Sequence, residues 1–266
     1  VNVTHWQENE QQRREDHLTV EEPFEIRIAS RSLAVIMRTP GHDSELAMGF
    51  LFTEGVIHGS DDVLAIEDAT DADGLPLANV VNVLFHSAGQ EEASLHSQFE
   101  RHFAVSASCG LCGKNSIDDV MISTPPLESD DLRISAACIY DLPGQLRTSQ
   151  AVFTHTGGLH AAALFTSKGE LLLLREDVGR HNAVDKIIGH GLLYGNFPYS
   201  RHILMVSGRT SFEIIQKALL ARIPCVAAIS APSSLAVELA DLAGITLIGF
   251  LRDRSMNVYT HPERIV

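Results

Sequence analysis

R-H-I-L-M-V-S (residues 201–207), S-F-E-I-I-Q-K-A-L-L-A (211–221), C-V-A-A-I-S (225–230), S-S-L-A-V-E-L-A-D-L (233–242) and I-T-L-I-G-F (245–250) follow one another near the end of this 266-residue chain. The first, third and fifth segments are short apolar runs that read as buried strands, and the second and fourth read as helices. The connections are short. Such a β-α-β-α-β succession predicts parallel strands with right-handed crossovers and helices covering the sheet.

Working back toward the N-terminus, Asn182–Leu193 reads as a helix with Val184, Ile187 and Ile188 inward. Glu170–Arg175, Ala161–Thr166 and Ala151–His155 read as strands, with a helix as the alternative for Ala161–Thr166, and Leu132–Ser149 reads as largely helical. Further upstream, Glu25–Ile28 and Leu33–Met37 are strands around a turn at Ser30–Ser32. Asp43 is a candidate N-cap for a helix over Ser44–Thr53, and Asn79–Phe85 is another strand. Ser97–Phe103 is short and ambiguous. The expected organisation is a polar tail (1–17), a small α+β domain (18–105), a flexible loop carrying a C-x-x-C (106–127) and an α/β domain (128–266).

The chain is 45% hydrophobic and 20% charged, with no apolar run approaching the ~18 residues of a membrane span. That excludes disordered, collagenous and helical transmembrane classes. Its net charge of −14 disfavours a nucleic-acid binder. The acid is concentrated. Residues 1–165 hold 9 Lys+Arg against 25 Asp+Glu, whereas residues 166–266 hold 11 against 9. An anionic ligand is therefore expected on the C-terminal part. The polar start, Val1–Asp16, does not read as a signal peptide, so a reducing cytoplasm is expected, in which cysteines serve as reactive groups or metal ligands.

Open parallel sheets bind ligands beyond the carboxyl ends of their strands. Those ends read Ser207-Gly208-Arg209-Thr210-Ser211, Ser230-Ala231-Pro232-Ser233-Ser234 and Phe250-Leu251-Arg252-Asp253-Arg254. Hydroxyls and guanidinium groups suit phosphate, although helix capping alone accounts for the hydroxyls equally well. Gly110–Lys114 lacks the spacing of a P-loop, and no G-x-G-x-x-G follows a strand. Arg175–Asn182 (R-E-D-V-G-R-H-N) is a dense polar turn that lines a pocket or caps the next helix through Asn182. His160 with Pro224-Cys225 is a broken version of a zinc-deaminase ligand set, since Ala162 stands where the glutamate is needed and the second cysteine is missing. Cys138 and Cys225, among apolar neighbours, read as buried hydrophobes.

Cys109 and Cys112 form a C-x-x-C among small residues. Half of a structural zinc site, a thioredoxin-like redox pair and a nucleophilic thiolate that carries a group, favoured by Lys114, all remain open on spacing alone.

Five strings together are more specific: C-G-L-C-G (109–113), T-G-G-L-H-A-A (156–162), R-E-D-V-G-R-H-N-A-V-D-K (175–186), S-G-R-T-S-F-E (207–213) and N-V-Y-T-H-P-E-R (257–264). From about Arg31 to the C-terminus the chain resembles the formate dehydrogenase accessory sulfurtransferase family, FdhD. The resemblance implies a sulfur carrier that accepts persulfide sulfur from a cysteine desulfurase. It would pass that sulfur to the bis(molybdopterin guanine dinucleotide) form of the molybdenum cofactor, as formate dehydrogenase requires. It also implies Cys109 as the persulfide cysteine with Cys112 as its partner, and a guanine-dinucleotide contact over Phe250, Leu251, Arg252, Asp253, Arg254 and Ser255. The C-terminal domain should be three-layered and cytidine-deaminase-like, with no structural metal, in a homodimer. Relatives often carry Gly-Arg where this chain has Arg254-Ser255, which makes Arg252 the stronger candidate contact. The competing function is a chaperone that delivers the cofactor without sulfur chemistry, its C-x-x-C being structural.

Overall fold

The computed structural model describes residues 1–86 and 124–266. The expectations placed on Ser97–Phe103 and on Cys109 and Cys112 lie outside the described residues. Residues 1–17, expected as a polar tail, instead pair as an antiparallel hairpin of β1 (Asn2–Gln7) and β2 (Glu10–Glu15). Its closure is a reciprocal pair between Val1 and Asp16: the terminal ammonium donates to the Asp16 carbonyl at 2.9 Å, and the Asp16 amide returns 2.8 Å to Val1.

β3 (Glu22–Ile28) and β4 (Arg31–Arg38) are joined by Ala29-Ser30, one residue earlier than expected. Both loop residues have positive φ, 48° and 63°, the geometry that matches strand twist in a two-residue hairpin. With β5 (Val63–Thr70) and β6 (Pro76–Phe85) they form a sheet in the order β4-β3-β6-β5. Phe24, Ile26 and Ile28 on one face of β3 are buried. That face packs under α1 (Asp43–Thr53). Asp43 is not the cap of this helix. His42 holds that position at φ 59°, and the Asp43 carboxylate instead receives the buried Arg38 guanidinium at 3.0 and 2.9 Å.

The C-terminal part begins with α2 (Ala136–Ser149) and α3 (Ala151–Thr156). Residues 151–155, expected as a strand, are helical because of a partner distant in sequence. The Glu176 carboxylate accepts the amides of Val152 and Phe153 at 3.0 and 2.9 Å, which satisfies the open first turn, and Gly157 at φ 68° closes the helix. There follow β7 (His160–Thr166), β8 (Leu171–Asp177), α4 (Arg180–Tyr194), β9 (His202–Val206), α5 (Phe212–Leu220), β10 (Cys225–Ala228), α6 (Ser234–Ala243), β11 (Thr246–Arg252) and β12 (Ser255–Thr260). The strands form one sheet in the order β12-β11-β10-β9-β7-β8. β9, β10 and β11 are parallel, as the sequence predicts, and the other three strands run antiparallel to their neighbours.

Successive side chains on a strand point to opposite faces, so these apolar runs feed two cores. Ala162, Leu164, Leu204, Val206, Val226, Ala228 and Leu247 meet α4, α5 and α6. Ala161, Ala163, Phe165, Ile203, Met205, Ala227 and Ile248 meet Ile139, Leu142 and Leu146 of α2. The domain is therefore three-layered, and the first core runs on without a break into the N-terminal sheet.

That continuity depends on α1 lying against α4. A Cβ on Gly49 would collide with the Asp185 carbonyl, and one on Gly189 with the Glu45 carbonyl and the Gly49 amide. Ion pairs ring the crossing. Arg175 grips Glu45 through two bonds of 2.6 and 2.7 Å, and Lys217 meets Asp185 at 2.8 and 2.9 Å beside Thr53 at 2.7 Å. Lys186 meets Asp177 at 2.7 Å, both fully buried.

Gly189→Ala is expected to lower stability by about 1–3 kcal/mol, the range for overpacking a close contact. Gly144→Ala in α2, where a Cβ meets open space, is expected to be neutral or to add up to ~1 kcal/mol. Urea denaturation of the two variants checks the contrast.

Candidate functional site

The carboxyl ends of β9, β10 and β11 come together as one ledge. The Thr210 amide donates to Ala231 O at 3.2 Å, the Ser233 amide to Thr210 O at 2.9 Å, and the Phe250 amide to Ser230 O at 3.2 Å. Ser233 caps α6 through its hydroxyl, which accepts from the Ala236 amide at 3.2 Å, as the capping interpretation anticipated. Ser207 instead reinforces the strand end: its hydroxyl accepts from the Ala161 amide at 2.9 Å. The Thr210 hydroxyl is buried with no hydrogen-bond partner among the described residues. Two glycines are closely approached at the ledge, Gly208 partly exposed and Gly249 buried. A Cβ at Gly249 would press on Pro232 and Tyr259 at 3.0 and 3.1 Å, and one at Gly208 on the His160 ring at 3.2 Å.

The remaining predicted contacts fall differently. Arg209, Arg252 and Phe250 are exposed at the ledge, with Phe250 held at a left-handed φ of 52°. Leu251 is fully buried in the α2-side core, so its side chain does not face a ligand. Asp253 and Arg254, at φ 51° and 56°, form the two-residue turn between β11 and β12, with Ser255 opposite Arg252. That turn carries Arg254 toward α2, where it lies 5.5 Å from the Tyr140 ring centre and 3.8 Å from Asp141. The structure thus separates Arg254 from the Ser207–Ser211 end of the ledge.

Beside the ledge, on the α2 side of the sheet, is a cleft of about 410 Å³. Ser207, Ile229 and His160 line it from the strand ends, and Arg147, Gln150, Phe153 and Gly157–Leu159 from α2, α3 and the following turn. The Arg147 guanidinium stacks on the Phe153 ring at 4.3 Å. Sequence reasoning missed Arg147, Gln150 and Phe153. The T-G-G-L-H string just after them was the only local signal, and the misassigned strand at 151–155 hid the helix that presents Phe153.

On the opposite side of the sheet, His181 Nε2 lies 3.3 Å from Ser211 Oγ and 3.8 Å from Glu213 Oε2. Burial, reinforced by the Lys217 and Arg180 cations, pushes the His181 imidazole down to about 4. Burial works against ionisation of Glu213, yet the Ser211 hydroxyl and a backbone amide outweigh it and hold that carboxyl below the usual range. His181 is therefore neutral and Glu213 ionised at neutral pH. His160 is also lowered, first by burial and then by Arg180.

The R-E-D-V-G-R-H-N segment neither lines the cleft nor caps α4 through Asn182. Asn182 donates to Asp177 Oδ1 and to Met37 O, both at 2.8 Å, and α4 begins at Gly179 without a side-chain cap. Arg175, Asp177 and Asn182 are turned to the N-terminal part. Cys225, the residue nearest a deaminase ligand position, is fully buried, and burial pushes its thiol up to about 12. Cys138 is half-buried, its thiol likewise raised by burial.

These features define a class: a three-layer α/β domain with an open ledge at its parallel strand ends, clamped to a smaller β-rich domain. The chain belongs to the FdhD/NarQ family, whose model matches residues 19–266. It is 50% identical to the sulfur carrier protein FdhD of Streptomyces coelicolor, over 95% of this chain and 90% of that one. It is 48% identical to the protein of the same name from Mycolicibacterium paratuberculosis, over 99% and 97%. Among solved structures, a protein from Desulfotalea psychrophila described as a formate dehydrogenase accessory protein superposes with a TM-score of 0.76 at 25% identity, covering 100% of this chain and 98% of that one.

Five histidines, His42, His160, His181, His190 and His202, are held below their ordinary value chiefly by burial. The folded state resists their protonation and the unfolded state does not, so their contribution to stability is complete above pH 6.5 and is lost as pH falls toward 4. His181→Gln is expected to make that decline shallower in urea titrations between pH 7.5 and 4.5. An unchanged slope would assign the proton uptake to other groups.

Proposed function

We propose that this chain is a sulfur carrier that serves the maturation of formate dehydrogenase. The observation that carries the reading is its 50% identity, across nearly the whole chain, to a protein named a sulfur carrier, together with a C-x-x-C sequence at Cys109 and Cys112.

The chemistry follows from thiol exchange. The Cys109 thiolate attacks the sulfane sulfur of a persulfide on a cysteine desulfurase. The S–S bond of the donor breaks, its cysteine leaves as a thiolate, and Cys109 becomes the persulfide. Lys114 favours the attacking thiolate form. The sulfur then passes to the bis(molybdopterin guanine dinucleotide) form of the molybdenum cofactor, which is the substrate here. That transfer breaks the S–S bond of the Cys109 persulfide in one of two ways: the cofactor supplies the electron pair and Cys109 leaves as a thiolate, with Cys112 assisting, or Cys112 attacks Cys109 Sγ, which releases the outer sulfur as hydrosulfide and leaves a Cys109–Cys112 disulfide.

The ledge suits a phosphorylated substrate. Its backbone is partly exposed at Gly208, the Thr210 hydroxyl lacks a partner among the described residues, and Arg209 and Arg252 are exposed beside them. Arg252 is the cationic contact that the proposal favours in the Phe250–Ser255 stretch, because Arg254 is turned to Tyr140. A cytoplasmic homodimer, with a cysteine desulfurase and formate dehydrogenase as partners, completes the reading. No described helix is long and apolar enough to cross a membrane.

Incubation with a cysteine desulfurase and cysteine is expected to add about 32 Da, one sulfur atom, to the peptide containing Cys109. Cys109→Ala is expected to abolish formate dehydrogenase maturation in cells lacking the native protein. Full enzyme activity in that strain would remove the assignment. Arg252→Ala is expected to weaken GDP binding about tenfold, the scale of one lost charge-assisted contact, in a fluorescence titration.

A further inference from the structure

We infer that the face of the N-terminal hairpin that carries Trp6 is a docking surface for the protein that receives the cofactor, and that it fits an apolar pocket with a basic rim. Four residues make up this face. Thr4 lies opposite Arg13 and Trp6 opposite Gln11, so the alternation of β1 and β2 puts all four on one side. All four are exposed, whereas Val3 and His5 on the other side are the only residues of the two strands that are even partly buried. Trp6, the single tryptophan of the chain, is 62% exposed. An isolated two-stranded ribbon is marginal in water, and a large aromatic ring held outward on it adds nothing to the fold. In protein interfaces, by contrast, Trp is among the residue types that carry most of the binding energy.

The root of the hairpin fixes where a partner would sit. The Thr19 hydroxyl donates to Thr156 Oγ1 at 2.9 Å, and a Cβ on Gly158 would lie 2.6 Å from the same Thr19 oxygen. Gly157 and Gly158 line the cleft beside the ledge. Leu18 and Val20, on either side of this anchor, are 63% and 53% exposed. A partner that covers Trp6, Leu18 and Val20 is therefore held next to the cleft that adjoins the ledge. The hairpin precedes residue 19, where the match to the family model begins, so it is an addition to the shared fold.

Charge selects among partners. Glu8 and Glu10 are exposed at the turn beside Trp6, and Glu15 and Glu21 are exposed near the root. Across residues 1–165, 25 Asp+Glu stand against 9 Lys+Arg. Nucleic acid and an anionic lipid surface are repelled by that sign. An isologous contact with a second copy sets acid against acid. An enzyme that takes up a phosphate-bearing cofactor needs an electropositive opening, and such a rim complements the acidic hairpin. The identity of the recipient rests on the cofactor reading above, and the existence of the docking surface does not.

The test uses the full chain with 5-fluorotryptophan at its single tryptophan, and the cognate formate dehydrogenase in cofactor-free form as the probe. Addition of this apoenzyme is expected to shift or broaden the one fluorine resonance. In surface plasmon resonance, Trp6→Ala is expected to weaken apoenzyme binding at least about tenfold. Glu8→Lys combined with Glu10→Lys is expected to slow association about tenfold at low salt. Both variants are expected to load sulfur on Cys109 and to bind GDP as wild type does, which separates docking from chemistry. Apoenzyme binding that Trp6→Ala leaves unchanged overturns the inference. Should Trp6→Ala unfold the hairpin, the double Glu variant carries the test, and unchanged association overturns the inference in the same way. A fluorine shift caused by GDP alone makes Trp6 a cover for the substrate, and one that follows chain concentration makes this face a contact between copies; either result overturns it. So does an apoenzyme that does not bind wild type. The sulfur-carrier reading survives all of these outcomes, and fails instead on full enzyme activity in the Cys109→Ala strain.

Discussion

The approach of α1 to α4 is the constraint on which the rest of this structure depends. Two glycines, Gly49 and Gly189, let the helix backbones touch, and the buried pairs Arg175–Glu45, Lys217–Asp185 and Lys186–Asp177 surround that contact. Buried ion pairs add little net stability compared with apolar packing, yet they are intolerant of misalignment, because a displaced partner leaves a charge stranded. Burial, with the Asp177 charge, drives Asp185 upward, and Lys217 and Thr53 oppose it. The arrangement therefore specifies one docking of the N-terminal sheet on the C-terminal domain. It also explains why a single apolar core runs through both.

Much of the C-terminal architecture was legible in the sequence. The runs 201–207, 225–230 and 245–250 became three parallel strands because continuous apolar segments of that length suit a sheet covered on both faces. What escaped was whatever rests on distant partners. The helix at Ala151–Thr156 needs Glu176, and the polar segment from Arg175 to Asn182 is explained by Glu45, Thr39 and Met37, up to 145 residues away. Locally that segment resembles a ligand loop, since the same residue types serve a domain clamp and a polar pocket. The hairpin at residues 2–15 escaped for another reason: its strands are almost wholly polar and carry no buried face to announce them.

The candidate site shows the same division. The ledge was visible as hydroxyl residues, Arg residues or both after each parallel strand, a placement that follows from topology. The direction of each side chain was not. Leu251 turns into the core and Arg254 toward Tyr140, and the register of β11 against β12 shifts between Gly249 and Arg252, an irregularity that nothing local in the sequence announces. The cleft was invisible in sequence, since its walls come from a helix end, a misassigned helix and three strand ends. Histidines buried on both sides of the ledge stay neutral, which leaves the arginines as its dominant charge at neutral pH.

Alternation along the last three residues of β8 has a mechanical consequence. Arg175 and Asp177 point to one side and hold the N-terminal part, through Glu45 and through Thr39. Glu176, between them, points to the other side and fixes the first turn of α3, on which Phe153 stands. The two grips are one peptide unit apart on a hydrogen-bonded strand, so the strand end acts as a short stiff lever. A tilt of the small domain must either break the Arg175–Glu45 ion pair and the Thr39–Asp177 hydrogen bond or be transmitted to the cleft wall.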